Sequence, residues 1–427
     1  MSKIVITILF LGNILMAATI QYIEVNGSKI PLIYEEDKRL PLATMQFTFT
    51  NAGSITDTEI PGLAKMSARV MNEGTKELGS SKFAEKLESK AIHISSSTGV
   101  ETFVIEVGSL TENFDEALGY FGDLLKSPNL TQEALDKVKT TTIGGLSRKE
   151  NDFDYIASNE LKSILFKGSV LENPSSGTIE SVKKIELQDV EEFLSKHIVS
   201  NKLIVVLGGN VDLEKTKEKL VPIISNLYKG KRSKLKNYTV SVKGKDSILK
   251  RETEQAYVYF GSPYNMQFDD EDYFKARVAT FILGTGGFGS RLMEEIRVKR
   301  GLAYSAYARV HVSKSHSYMT GYLQTKIESM DEAKATVQEV IKKFVKKGVT
   351  QEELDQTKKF LLGSEPLRVE TMNQRLNRTF MEYYKGQELG HSLKELKKIK
   401  KLTLDDLNNF IQEHKEILDL RFAIVTR

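Results

Sequence analysis

The chain has 427 residues, of which 28% are charged and 40% hydrophobic, and its 61 basic and 57 acidic side chains leave a net charge of +4. That length allows two or three domains, and so small a charge imbalance gives no reason to expect a nucleic-acid partner. There is no cysteine, so an oxidising compartment would find no disulfide to form.

The first residues read as an export signal. Lys3 provides a short positive start, residues 4–16 are apolar apart from Thr7, Gly12 and Asn13, and Ala17 and Ala18 supply the small residues of a cleavage site. The run is shorter than the ~20 residues a membrane span needs; an uncleaved anchor is the alternative. A cleaved signal over 1–18 points to a periplasmic or secreted bacterial protein. No later stretch is apolar enough to span a membrane, so the mature chain is expected to be soluble.

Asn26-Gly27 lies between strand-like runs and predicts a hairpin. Residues 45–50 alternate with period two, as a half-buried strand does. Residues 61–75 run PGLAKMSARVMNEGT. Strand patterns follow at 103–107, 203–207, 256–260, 304–310 and 421–425. Thr131 and Thr350 are expected helix N-caps with acidic residues in the first turn. The basic stretch 229–245 reads as an interdomain linker, and Lys-rich runs such as 397–401 as solvated helix ends.

An internal repeat orders these elements. Phe114-Asp115-Glu116-Ala117 and Met330-Asp331-Glu332-Ala333 stand 216 apart. Leu130-Thr131-Gln132-Glu133 and Val349-Thr350-Gln351-Glu352 stand 219 apart, and the matching segments 185–193 and 402–410 stand 217 apart. Each copy then runs into an apolar strand. The expected architecture is α+β: two related domains, 19–228 and 246–427, each an antiparallel sheet with helices packed on one face.

Gly284, Gly286 and Gly289 form a literal Gly-x-Gly-x-x-Gly. The preceding residues 274–283 read as a helix ending at a Gly cap, not a strand, and no acid stands near position 304, so a dinucleotide site is not expected. A flexible turn, or a loop of Gly284, Gly286, Gly287 and Gly289 open to a peptide backbone, are the remaining readings. The six histidines, at 93, 197, 311, 316, 391 and 414, form no ligand pair. His311 and His316, five apart on a strand-like stretch, are expected to face opposite sides.

The segment 61–75 resembles the inverted zinc motif, His-x-x-Glu-His, of the pitrilysin/insulinase-type metallopeptidases. The first His falls on Lys65, the Glu on Ala68 and the second His on Arg69. Zinc takes neutral imidazole or carboxylate donors; two cations cannot bind a dication, and alanine cannot act as the base. The family's third ligand falls on Gly145, with Glu150 nearby. In contrast, residues 290–304, SRLMEEIRVKRGLAY, are similar to the family's second-domain motif. There an Arg and a Tyr seven positions later bind substrate, here Arg297 and Tyr304. The resemblance implies a two-domain, processing-peptidase-like member with no metal of its own. It further implies a heterodimer, in which this chain binds peptide for a homologous partner that carries the zinc. A catalytically inert peptide-binding or scaffold protein of the same fold is the alternative.

Overall fold

The computed structural model describes residues 18–241 and 244–427. The apolar run of the expected export signal lies outside the described residues. The N-terminal half runs β1 (Thr19–Val25), β2 (Ser28–Glu36), β3 (Leu42–Thr50), α1 (Leu63–Met71), α2 (Gly79–Glu88), β4 (His93–Thr98), β5 (Thr102–Leu110), α3 (Phe114–Lys126), α4 (Gln132–Arg148), α5 (Phe153–Leu165), α6 (Ile179–Lys184), α7 (Leu187–His197), β6 (Leu203–Gly209) and α8 (Leu213–Ser225). The C-terminal half runs β7 (Ser247–Lys250), β8 (Gln255–Pro263), α9 (Tyr273–Thr280), α10 (Arg291–Met293), β9 (Ala303–Val312), β10 (Ser317–Lys326), α11 (Met330–Lys347), α12 (Gln351–Gly363), α13 (Met372–Lys385), α14 (His391–Lys401), α15 (Leu404–Glu413) and β11 (Arg421–Thr426).

Local chemistry sets the element ends as expected. Asn26 and Gly27, both at positive φ, close the β1–β2 hairpin. Thr131 accepts from the Ala134 amide at the start of α4, and Thr350 forms a reciprocal cap with Glu353 at the start of α12. Along β3, Met45, Phe47 and Phe49 turn inward and are almost fully buried, the period-two reading made physical.

The sheets are ordered β1-β2-β6-β3-β5-β4 and β7-β11-β8-β10-β9. With β1 set aside they are one topology twice, β7 answering to β2 and β11 to β6. Pairing is antiparallel except for β2–β6 and β7–β11, which are parallel. A strand inserted between two oppositely directed neighbours must run parallel to one of them, so each sheet, antiparallel elsewhere as expected, is mixed at that one pair.

Helices of each half cover one face of its own sheet and enclose the two main cores. The opposite faces are covered from the other half. Ile33, Ile204 and Val206, on the back of the first sheet, pack against Leu376 and Phe380 of α13, which belongs to the second half. Tyr259, Tyr318 and Ala423, on the back of the second sheet, pack against Leu161, Ile164 and Leu165 of α5, which belongs to the first. These two helices hold the same place in the repeat, so the halves exchange them reciprocally. Both backs are apolar, and burying each under the other half removes that surface from water. Arg375 of α13 adds polar specificity, donating to Glu35 at 2.7 Å and to Asp37 at 3.1 Å at the end of β2.

The described part of the segment expected as a linker, 229–241 and 244–245, has no helix or strand and is pinned at two points. The Tyr238 amide donates to the Ser315 carbonyl and the Ser241 amide to the Leu165 carbonyl, both at 2.7 Å. No helix among the described residues is long and apolar enough to cross a membrane.

Candidate functional site

The zinc-like frame sits on α1. The helix is entered through Gly62 at φ +94°, where a Cβ would meet the Gly177 backbone at 2.8 Å. Asp57 anchors its start, accepting from the Gly62 and Ala64 amides at 3.1 and 2.9 Å, and burial pushes this carboxyl up to about 7. α1 packs against α4, α7 and β4. Ala68 is buried, while Lys65 and Arg69, one turn apart, are half-buried beside it.

The α1–α4 packing brings the frame positions together, as their spacing requires. Lys65, Arg69 and Gly145 line one cleft of about 430 Å³ with Thr142, Arg148 and Lys149. Lys65 donates to the Ser176 hydroxyl at 3.0 Å, and Arg69 donates to the Thr142 hydroxyl. Arg148 lies beside the third-ligand position, its nearest guanidinium nitrogen 3.9 Å from where a Gly145 Cβ would stand, an ordinary contact distance. Burial, then the charges of Arg69 and Lys149, pull the Lys65 ammonium below its ordinary range; burial does the same to Arg69. Glu73, at the rim, is engaged by Lys137 at 2.6 Å. Glu150 is exposed and does not enter the cleft. These side chains do not fit zinc: the ligand positions carry two cations, an alanine and a glycine. Among the described residues, no group of three or more His, Asp or Glu could hold a metal ion.

Arg297 and Tyr304 occupy a different place. A wide helical turn, Glu294–Lys299, continues α10 and carries Arg297, and β9 opens with Ala303 and Tyr304. The guanidinium lies between two rings, its carbon 4.6 Å from the Phe288 centroid and 4.1 Å from that of Tyr304. Tyr304 is 80% exposed and Phe288 64%. Stacking occupies the faces of the guanidinium and leaves its edge N–H groups for another acceptor. Phe288, which the sequence did not single out, completes the clamp from within the glycine loop. The lining of the α1–α4 cleft includes no residue of the C-terminal half, so the two predicted site groups are not brought together in one chain.

The loop glycines divide by role. α9 runs on into a wide turn, Phe281–Thr285, so Gly284 lies inside the helical end and does not cap it. A Cβ on Gly284 would stand 2.2 Å from the Ala308 nitrogen, and one on Gly286 2.8 Å from the Phe281 carbonyl oxygen. Both serve internal close approach. Gly287 and Gly289 face open space.

Sequence reasoning also missed a cavity of about 710 Å³ between the halves, bordered by Asp57, Glu101, Lys162, Tyr307, Arg309 and His311 among others. Its lining comes from the segment before α1, the β4–β5 turn, α5 and the segment after it, and from β8, β9, β10 and α13, so no local motif announced it. His311 and His316 do not face opposite sides as expected. The chain reverses between them, and both imidazoles stack on Tyr318, at 4.7 and 5.6 Å between centroids. His311 Nε2 is buried without a partner, and burial pushes both rings down to about 4.

Comparison with known proteins agrees with this geometry. Residues 34–179 match the family described as insulinase (peptidase family M16), and residues 184–361 match the peptidase M16 inactive domain. A Helicobacter pylori protein described as the non-peptidase homologue YmxG is 45% identical, covering 100% of this chain and 99% of its own. A Bacillus subtilis protein described as an uncharacterized zinc protease YmxG is 23% identical over 75% of this chain and 77% of its own. A solved peptidase M16 inactive domain from Pseudomonas fluorescens superposes with a TM-score of 0.86 at 22% identity, covering 95% of this chain and 97% of that one.

Proposed function

The chain belongs to the peptidase M16 (insulinase) family, and from that premise we propose that it is the non-zinc subunit of a heterodimeric processing-type peptidase. It binds and positions a peptide for a homologous partner that carries His-x-x-Glu-His and the zinc. The observation that carries this reading is the contrast between its two family sites. The metal frame is filled with cations, while Arg297 is held ready between Phe288 and an exposed Tyr304. A guanidinium edge and a phenol hydroxyl are the donors that a peptide carbonyl, or the oxyanion formed from it, accepts from. Since the pair does not line its own chain's frame, a partner's active site is the place where it would act. Its export by residues 1–18 is part of the same proposal.

The test is to purify the chain with its native partner and assay peptide hydrolysis by wild-type, Arg297→Ala and Tyr304→Phe pairs at equal zinc content. Loss of one well-placed oxyanion donor costs about 10²–10³ in rate, and Arg297→Ala is expected to fall in that range. Unchanged rates in both variants would leave an inert scaffold of the same fold as the better account.

A further inference from the structure

The cleft between α1 and α4 has lost metal donors and acquired four cations. Lys65, Arg69, Arg148 and Lys149 all border it; none forms an ion pair with a carboxylate among the described residues, and the Lys149 ammonium stands 4.4 Å over the Tyr155 ring. The one acid on its lining, Glu73, already pairs with Lys137. Like charges gathered at one site, whose single lining acid is already engaged by another lysine, are unfavourable unless something anionic is bound among them. Hydroxyls of Ser176 and Thr142 hold Lys65 and Arg69 in place, and Arg148 reaches the lining from the end of α4. A cleft of about 430 Å³ is much larger than a bare oxyanion, given the ~30 Å³ that a water molecule takes up in the liquid. Val138 and Leu146 give its wall an apolar part. The ligand therefore carries a body as well as a charge.

We propose that the vacated metal cleft of α1 and α4 is a carboxylate-binding site for peptides, in which Lys65, Arg69, Arg148 and Lys149 hold a C-terminal or side-chain carboxylate. The proposal takes its ligand class from the peptide-binding part of the functional reading and needs neither the partner subunit nor zinc. Arginine's fork matches a carboxylate in two parallel hydrogen bonds, and lysine adds a point charge.

The experiment measures binding of dye-labelled hexapeptides to the purified chain at low salt by fluorescence anisotropy. One peptide lacks acidic residues and ends in a free carboxylate, a second is its C-terminal amide, and a third is amidated but carries one internal Glu. The carboxylate-bearing peptides are expected to bind about tenfold or more tighter than the neutral amide, as hydrogen bonds to charged groups allow. That preference should shrink as salt is raised. Lys65→Gln and the exposed Arg148→Gln should each remove most of it, and Lys359→Gln on α12 should leave it unchanged. Equal affinity for all three peptides would overturn the proposal, as would a preference that survives both cleft substitutions. Lys65-dependent binding of inorganic phosphate with no preference among the peptides would overturn the peptide assignment. Because the isolated chain is the reagent, a failure to find a peptidase partner does not affect the result. Equally, a lost carboxylate preference leaves the Arg297 and Tyr304 assay intact.

Discussion

Tyr304 and Phe288 enclose Arg297 without burying it, so the clamp contributes little to stability. An exposed cation–π contact is worth about 0.5–1 kcal/mol. Tyr304→Phe keeps the ring and should leave the urea midpoint within about 0.5 kcal/mol of wild type; a larger loss would mean that the hydroxyl has a structural partner. The buried histidines do bear on stability. His197 Nδ1 accepts from the Lys202 ammonium at 2.9 Å, and burial foremost pushes His197, His311 and His316 down to about 4 from an ordinary 6.5. On acidification the unfolded chain takes up these protons first, so their contribution is intact above about 6.5 and is lost as pH falls towards about 4. Asp57 slopes the other way. Its raised value near 7 gives stability that is full below its unfolded range and lost as pH rises through 7. Three depressed histidines against two raised carboxyls, Asp57 and the buried Glu35, predict a net fall in stability between pH 6.5 and 4. Urea midpoints measured at pH 7 and 4.5 check this, and a higher midpoint at 4.5 would show that the two carboxyls outweigh the histidines.

At the level of elements, the glycine loop makes a graded prediction. Gly284→Ala places a methyl against the Ala308 backbone, which cannot swing aside, and should cost about 1–3 kcal/mol as overpacking does. Gly289→Ala points into open space and should be nearly silent. Thermal melts of the two variants make the comparison, and equal losses would refute the packing role given to Gly284. Much at this scale was legible in the sequence. The caps at Thr131 and Thr350, the Asn26-Gly27 turn and the ligand-free frame of α1 all depend on residues close together in the chain, where spacing dictates contact. The cationic cleft was only half legible. Lys65 and Arg69 announced the lost metal, but Arg148, Lys149 and Ser176 join them through the packing of α4 and the segment before α6, which no local pattern records. Phe288 escaped notice for a similar reason, since a single aromatic in a glycine loop looks like any exposed side chain until Arg297 lies against it.

Over the whole molecule, the repeat foretold two related halves and their strand order is the same, yet not how they are joined. The periodicity of α5 and α13 says that each buries an apolar face; it does not say against which sheet. Reciprocal exchange makes the two halves depend on each other. Leu376→Ala in α13, which opens a cavity against Ile33, Ile204 and Val206, should cost about 2–4 kcal/mol. It should also speed hydrogen exchange at β2 and β6, far away in sequence; faster exchange confined to 372–385 would refute the coupling. The same geometry sets the order of events at the ribosome. β6 ends at Gly209, but the helix that covers the back of its sheet is centred about 170 residues later, which at about 5–20 residues per second is a wait of roughly 10–30 s. During synthesis, then, the first half carries an apolar sheet face that only the last quarter of its own chain can close.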